Sequence, residues 1–373
     1  MLFEEKRLQH GDFTASVISK LKRKMPIAIE KAQGLDFIPY TVKDNQWHPG
    51  LFDEICWWTN GFWPGEMWAM YRLTGEERYK EEAERTEKML DAAFVDYDRL
   101  HHDVGFMWLI SSGANFRMTG NDLSRKRTQI AANLLAGRFN PAGFIRAWNM
   151  DRTGWAIIDC MMNLSLLYWA SEKSGDPRFR KIAMAHADTA MQHFVREDGS
   201  CNHIVIFDPE TMNVLDKPGG QGYGPGSSWS RGQGWAMYGF MISYCYTGKK
   251  EYLDTARKVS DYFLSCIGED GIPDSDFRAP KADIRKDNVA GALAACALID
   301  LSRELKDEHY LQEALRLLRA MEQTDADWSQ DCPAIFQRCR AAWNSDAHQT
   351  MQYGDYFFIE AINKLRGETY RMW

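Results

Sequence analysis

The chain has no long apolar run and no excess of positive charge, and these two absences remove several function classes. No stretch of its 373 residues is long and uninterrupted enough to span a bilayer, so no membrane partner is expected. The opening MLFEEKRLQHGDF has no apolar segment behind a basic start, so no signal peptide is expected either. With a net charge of -7 and no basic stripe interleaved with aromatics, nucleic acid is an unsuitable partner. A single Arg or His can still bind an anion locally on an acidic protein. The eight cysteines form no CxxC pair, and most lie in helix-like apolar contexts as buried thiols. A reducing cytoplasm is the expected compartment. Nothing in the sequence speaks to oligomeric state.

What is present is a folded composition with a surplus of aromatics. Hydrophobic residues make up 45% and charged residues 26%, too apolar for a disordered chain. There are 14 Trp, 15 Tyr and 19 Phe. Part of this surplus belongs to a core. Tryptophan also stacks on the apolar faces of sugar rings, which hints at the ligand.

A repeat runs through the chain. The phrase TGEERYKEEA (Thr74 to Ala83) returns as SGDPRFRKIA (Ser174 to Ala183) and TGKKEYLDTA (Thr247 to Ala256). A degenerate copy ends at Ala314 with Lys306 in the glycine's place, and a weak one starts at Thr119-Gly120. Each follows a hydrophobic helix-like run, so each reads as a helical hairpin. Gly75, Gly175 and Gly248 end the first helix in the left-handed conformation, and Asp176-Pro177 suits an N-cap and first-turn proline. About twelve helices are expected, near 12–32, 63–73, 76–95, 107–118, 121–137, 155–173, 176–196, 231–247, 250–267, 289–305, 307–323 and 354–366. The first helix of each hairpin is apolar all round and the second carries outward charge, as inner and outer layers would. The expected fold is all-α, an (α/α)6 barrel of six hairpins, in one domain spanning 1–373. Residues 38–61, 197–230 and 324–353 are loops, the second with a strand-like HIVIF, and loops of that length are usually functional.

Candidate chemistry sits where inner helices begin. Trp58 stands beside a Thr59-Asn60-Gly61 turn, either as core or facing a cavity. Asp103 follows His101-His102 and opens the next inner helix, where an Asp is either an N-cap or a functional carboxylate. The two histidines also raise a metal reading, but no third or fourth ligand stands at zinc-like spacing, so no metal is expected. Asp159 lies in the apolar run Trp155 to Met162. A carboxylate there is costly unless paired, and desolvation would raise its proton affinity, which suits a general acid. A buried Asp tying down a loop is the alternative. The glycine-rich segment Gln221 to Trp235 lacks a Lys-Ser/Thr ending and is no phosphate loop. It offers close backbone approach to a sugar, followed by Arg231, able to fork onto a carboxylate, and Trp235 on the same helix face. No G-x-S-x-G elbow or Cys–His nucleophile stands out.

Together these motifs resemble the unsaturated glucuronyl hydrolases, glycoside hydrolase family 88. The matching phrases are Trp58 to Trp63, His101 to Phe106, Ile145 to Trp148, Ile157 to Asn163, His203 ahead of Phe207-Asp208-Pro209, Gln221 to Trp235, and Gly354-Asp355-Tyr356 with Glu360-Ala361. They keep the family's order over about residues 50–366.

The resemblance implies the six-hairpin ring, no metal or organic cofactor, and an oligosaccharide ending in a 4,5-unsaturated uronic acid as substrate. It implies hydration of an enol ether in which Asp159 protonates C4 and then activates the water adding at C5, with Asp103 assisting. By the same carry-over His102, His203, Gln221, Ser228, Arg231 and Trp235 bind the uronate and its surroundings, and Trp58 and Trp148 stack on sugar. The departures are the residues Asp53 to Trp57, Asn149 after Trp148, Pro225 in the Gln-Gly loop, and a short Trp343 to Tyr353 loop without the Ser/Lys pattern linked to sulfated substrates. They put the identity of the sugar in question more than the chemistry. Rival readings are a related unsaturated rhamnogalacturonyl hydrolase, a sugar epimerase on the same ring working with paired histidines, and a catalytically silent carbohydrate-binding ring.

Overall fold

The repeated glycines end helices in the conformation their position requires. Gly75, Gly175 and Gly248 have φ of +74°, +71° and +69°, a region where a side chain is strained. Lys306 accepts that strain at φ +54°. After the second of these stops, Asp176 accepts the N–H of Arg178 at 2.8 Å, with Pro177 opening the helix.

The computed structural model describes residues 2–49, 54–283, 285–345, 349–367 and 371–373. Asp53 and part of the loop from Trp343 to Tyr353 lie outside the described residues. The helices are α1 (Leu2–Ala32), α2 (Phe62–Thr74), α3 (Glu77–Met89), α4 (Val104–Trp108, a π turn Leu109–Gly113, then Ala114–Thr119), α5 (Asp122–Ala136), α6 (Cys160–Ser174), α7 (Pro177–His193), α8 (Ser230–Thr247), α9 (Lys250–Ser265), α10 (Asn288–Leu305), α11 (Glu308–Thr324) and α12 (Gln352–Leu365). Helices α2, α4, α6, α8, α10 and α12 touch in succession, and α12 returns to α2, so the inner layer is a closed ring. Helices α3, α5, α7, α9 and α11 each pack outside the helix they follow, and α1 completes the outer layer against α12. The division follows from the side chains. Helix α12 is buried along its whole length, whereas α9 buries Tyr252, Leu253, Ala256, Val259 and Phe263 on one stripe. The bore of the ring is filled by Phe62, Phe106, Trp235, Tyr356, Phe357 and Trp373, their ring centroids 5.1–6.3 Å apart. Much of the tryptophan surplus is therefore core.

Among the described residues seven short strands join the helices: β1 (Thr41–Lys43) with β2 (Gln46–His48), β3 (Phe139–Asn140) with β4 (Phe144–Ile145), and a three-stranded antiparallel sheet of β5 (Trp155–Ile157), β6 (Ile204–Phe207) and β7 (Val214–Asp216). The last sheet corrects one boundary. Helix was expected from residue 155, but Trp155, Ala156 and Ile157 pair with Ile206, Val205 and Ile204, and the helix starts at Cys160. A short apolar run does not distinguish strand from helix until its partner is known. The consequence is local: Asp159 sits at the joint between β5 and α6. No described helix is long and apolar enough to cross a membrane.

Candidate active site

The N-terminal ends of the inner helices gather at one end of the ring, and each contributes a side chain there. Trp58 lies in the turn before α2, within 5.5 Å of Phe106 on α4 and 5.1 Å of Tyr353 on α12 between ring centroids. Arg231 at the start of α8 pairs with Asp287, which precedes α10, at 2.9 Å. Between α4 and α6 the closeness is enforced by a glycine. A Cβ on Gly105 would lie 2.6 Å from Asn163 Oδ1, and that oxygen accepts the N–H of Phe106 at 2.8 Å. Asn163, one turn into α6, thereby fixes the start of α4 against the start of α6.

Asp103 and Asp159 occupy the N-cap positions of α4 and α6, yet neither side chain caps its helix. Each faces a histidine instead. His102 Nε2 is 3.2 Å from Asp103 Oδ1, and His203 Nε2 is 3.4 Å from Asp159 Oδ1. Neither contact is a finished hydrogen bond, since His102 Nε2, His203 Nε2 and Asp159 Oδ1 are buried without a well-aligned partner. Catalytic contacts are often this loose until substrate binds. Each ring is anchored at its other nitrogen: His102 Nδ1 is 3.0 Å from the carbonyl of Ala147, and His203 Nδ1 accepts the N–H of Gln221 at 2.9 Å. The second anchor needs Gly220, at φ +60°, because a Cβ there would stand 2.1 Å from His203 Nδ1. Burial, and then the negative charge of Asp159, push the Asp103 carboxyl well above the usual range, with Arg138 pulling the other way. Among the described residues no three His, Cys, Asp or Glu side chains converge as metal ligands would.

Comparison with known proteins identifies the family. The model for Glycosyl Hydrolase Family 88 matches residues 17–321. The chain belongs to glycoside hydrolase family 88. Among curated family 88 relatives, the unsaturated glucuronyl hydrolase of Bacillus sp. strain GL1 is 34% identical over 330 residues, covering 84% of this chain and 87% of that protein. The unsaturated chondroitin disaccharide hydrolase of Streptococcus pyogenes serotype M1 is 30% identical, covering 88% and 85%. The crystal structure of the Bacillus sp. GL1 unsaturated glucuronyl hydrolase superposes with a TM-score of 0.87 at 31% identity, over 93% of this chain and 96% of that one. The protein is thus a glycoside hydrolase on an (α/α)6 ring.

This family 88 site brings some expected residues together and commits others elsewhere. Trp148 is half-buried, edge-on to His102 at 6.3 Å, with the Arg152 guanidinium over its ring at 5.5 Å. Gln221 gives its side-chain amide to the carbonyl of Ala341 at 2.6 Å. Ser228 is buried, its N–H on Asp276 and its hydroxyl 3.5 Å from Gln233. Arg231 is 1% exposed, its fork spent on Asp287 and its planar face against Tyr353 and Trp229. Trp235 is fully buried between Phe106 and Phe357. Sequence reasoning missed several supports. Asp276 accepts the N–H groups of Tyr223, Ser228 and Arg278 and so shapes the glycine loop. Trp229 packs 4.5 Å from His203. Asp287 had a legible signal, an Asp before an apolar run, and it does cap α10 through the Val289 N–H. Asp276 and Arg138 carried none.

Proposed function

We infer that the protein removes a 4,5-unsaturated uronic acid from the non-reducing end of oligosaccharides left by a polysaccharide lyase. The observation that carries this is the pair of histidine-flanked aspartates at adjacent inner-helix starts, neither spent on capping, in a family 88 chain. Hydration of an enol ether needs one proton delivered to C4 and one removed from the water that adds at C5. Two neighbouring carboxyls holding a single proton supply both. Asp159 is the group at the double bond, and Asp103 stores the proton between turnovers. The hemiketal formed at C5 opens by breaking its bond to the ring oxygen. That leaves a hemiacetal at C1, which expels the shortened sugar.

The converging N-termini of the inner helices add partial positive charge at this end, which suits an anionic sugar. Trp58 and Trp148 are the aromatic faces proposed for sugar stacking, with His102 and His203 beside the uronate. Gln221, Ser228, Arg231 and Trp235, held by Ala341, Asp276, Asp287 and the aromatic core, form the wall behind it. We read the whole chain as one catalytic domain acting in the cytoplasm, in keeping with eight unpaired cysteines.

Lyase-generated unsaturated disaccharides from glycosaminoglycan, gellan, ulvan and pectin test the proposal, through loss of the ultraviolet absorbance of the C4–C5 double bond. Turnover of at least one of the first three is expected. Turnover of pectin fragments alone would move the protein to the rhamnogalacturonyl side, and no turnover of any would sink the hydrolase reading.

A further inference from the structure

We propose that the two active-site histidines are locked in opposite tautomers, so that Asp103 holds the resting proton against His102 while Asp159 rests as a carboxylate facing the Nε2–H of His203. The proposal builds on the reading of Asp103 and Asp159 as the catalytic pair and specifies where their one proton sits.

The nitrogens remote from the carboxyls decide it. His203 Nδ1 accepts the backbone N–H of Gln221 at 2.9 Å, so it carries no hydrogen. The ring is then neutral, and its single proton lies on Nε2, 3.4 Å from Asp159 Oδ1. His102 is arranged the other way. Its Nδ1 is 3.0 Å from the carbonyl of Ala147, which can only accept, so Nδ1 carries the proton and Nε2 presents a lone pair. That nitrogen lies 3.2 Å from Asp103 Oδ1, close but not yet aligned as a hydrogen bond. A lone pair and a carboxylate oxygen repel. They attract only with a proton between them, placed on Asp103 or, in an ion pair, on His102.

The surroundings choose the neutral arrangement. The charged and titratable groups that act on the pair among the described residues include Asp159, Arg138, His101, His186 and Cys160. Burial holds the His102 ring well below its ordinary pKa, and Arg138, His101 and His186 press the same way against the help of the Ala147 carbonyl. Burial and Asp159 raise Asp103. Cys160 is a buried thiol pushed well up, and so neutral. Arg138, the cation that faces the pair, does not reach Asp103 with a hydrogen bond. Its guanidinium is taken by the carbonyls of Leu100, Arg146, Ala147 and Trp148 and by Asn149 Oδ1, at 2.8–3.2 Å. A buried carboxyl with no hydrogen-bonded cation keeps its proton.

The cycle balances. The proton on Asp103 passes to Asp159 and from there to C4, and the water oxygen bonds to C5. The proton that water gives up returns to Asp159 and then to Asp103. His102 is a positioning residue throughout, since its lone pair sets which carboxyl refills.

Nitrogen-15 NMR of the histidine-labelled protein without substrate tests this, with His102 and His203 assigned through His102→Gln and His203→Gln. The expected result is a neutral Nδ1–H ring at His102 and a neutral Nε2–H ring at His203. An imidazolium at His102, or a proton on its Nε2, overturns the proposal. Asp103→Asn gives a second measurement that needs neither glutamine variant to fold. Its side-chain N–H donates to Nε2 as a protonated acid does, so His102 keeps its Nδ1–H tautomer. A ring that changes tautomer in Asp103→Asn means that Asp103 is anionic in the wild type, and the proposal fails.

In turnover, His102→Asn reproduces the Nδ1–H donor but has nothing at Nε2. Protonated Asp103 loses its acceptor, and the alkaline limb of kcat moves to lower pH by about one unit. An unmoved limb overturns the role given to His102. The NMR result stands apart from the hydrolase reading, because it requires no substrate.

Discussion

His203 stands between two loops, with one nitrogen accepting the Gln221 N–H at 2.9 Å and the other 3.4 Å from Asp159 Oδ1. One ring, which Trp229 backs at 4.5 Å, thereby anchors the glycine loop and faces the Asp159 carboxyl. Asp159 makes no capping bond, so its carboxyl is free for chemistry and dispensable for helix α6. Asp159→Asn should therefore lower kcat by about 10²- to 10⁴-fold, the usual worth of a positioned acid or base. The circular dichroism spectrum should stay unchanged. Activity near the wild-type rate would remove Asp159 from the mechanism.

Asn163 is the support whose loss should separate geometry from chemistry. Its Oδ1 accepts the Phe106 N–H at 2.8 Å and so ties the start of α4, carrying Asp103, to α6, carrying Asp159. Asn163→Ala leaves that buried N–H unpaired, at a cost of roughly 1–3 kcal/mol. It also lets the two carboxyls drift, and misplacement of about 1 Å can cost 10²-fold in rate. Denaturant unfolding and kcat should fall together. A stable variant with unchanged kcat would show that the two helix starts are held by other means.

The hairpin stops were legible because their chemistry is local. A glycine at each repeat, and Asp176 before Pro177, say where a helix ends and the next begins without reference to the rest of the chain. The position of Asp103 ahead of an inner helix was legible for the same reason, whereas Asp159 was expected inside a helix from residue 155 and is found at its start. What stayed hidden depends on partners far along the chain. Strand β5 is a strand only because β6 pairs with it. Asp276 shapes the loop at Tyr223 and Ser228, and nothing in its own neighbourhood announces that. The burial that raises Asp103 also comes from afar, since the anchor of its histidine is Ala147 and the wall beyond is Trp148.

Arg231 and Asp287 form a pair of which the guanidinium is 1% exposed and the carboxylate fully buried. Removing one partner of such a pair strands a charge, and Asp287→Ala should destabilise the protein by about 3–5 kcal/mol. Replacing both, as Arg231→Met with Asp287→Leu, should recover much of that loss because no charge is left behind. The double variant then reports on substrate. If Arg231 also serves the uronate, KM rises in the double variant although stability returns. A restored fold with wild-type KM would confine Arg231 to architecture.

Buried carboxyls and histidines shift stability with pH in opposite senses. Asp355 is raised to about 7, by burial first, and Glu66 and Asp103 are also raised by burial. Folding therefore takes up protons at these groups, and their contribution is complete below the ordinary carboxyl range and lost as pH rises through the raised values. His101 is lowered to about 4 and His186 to about 3, both by burial, and His102 falls well below its ordinary value. Unfolding takes up protons there, so their contribution is complete above the ordinary value of 6.5 and lost as pH falls through the lowered ones. Between about pH 5 and 6.5 the two sets oppose each other and stability should vary little. Above 6.5 the histidines are neutral in both states and the raised carboxyls, Glu360 among them, dominate, with the burial-lowered Lys24 opposing them. Stability should then decline, at up to about 1.4 kcal/mol per pH unit for each proton held by the folded state alone. Calorimetry of the melting temperature from about pH 5 to pH 8 measures this directly. A melting temperature that rises between pH 6.5 and about pH 8 would mean that Asp103, Glu66 and Asp355 are ionised in the native protein.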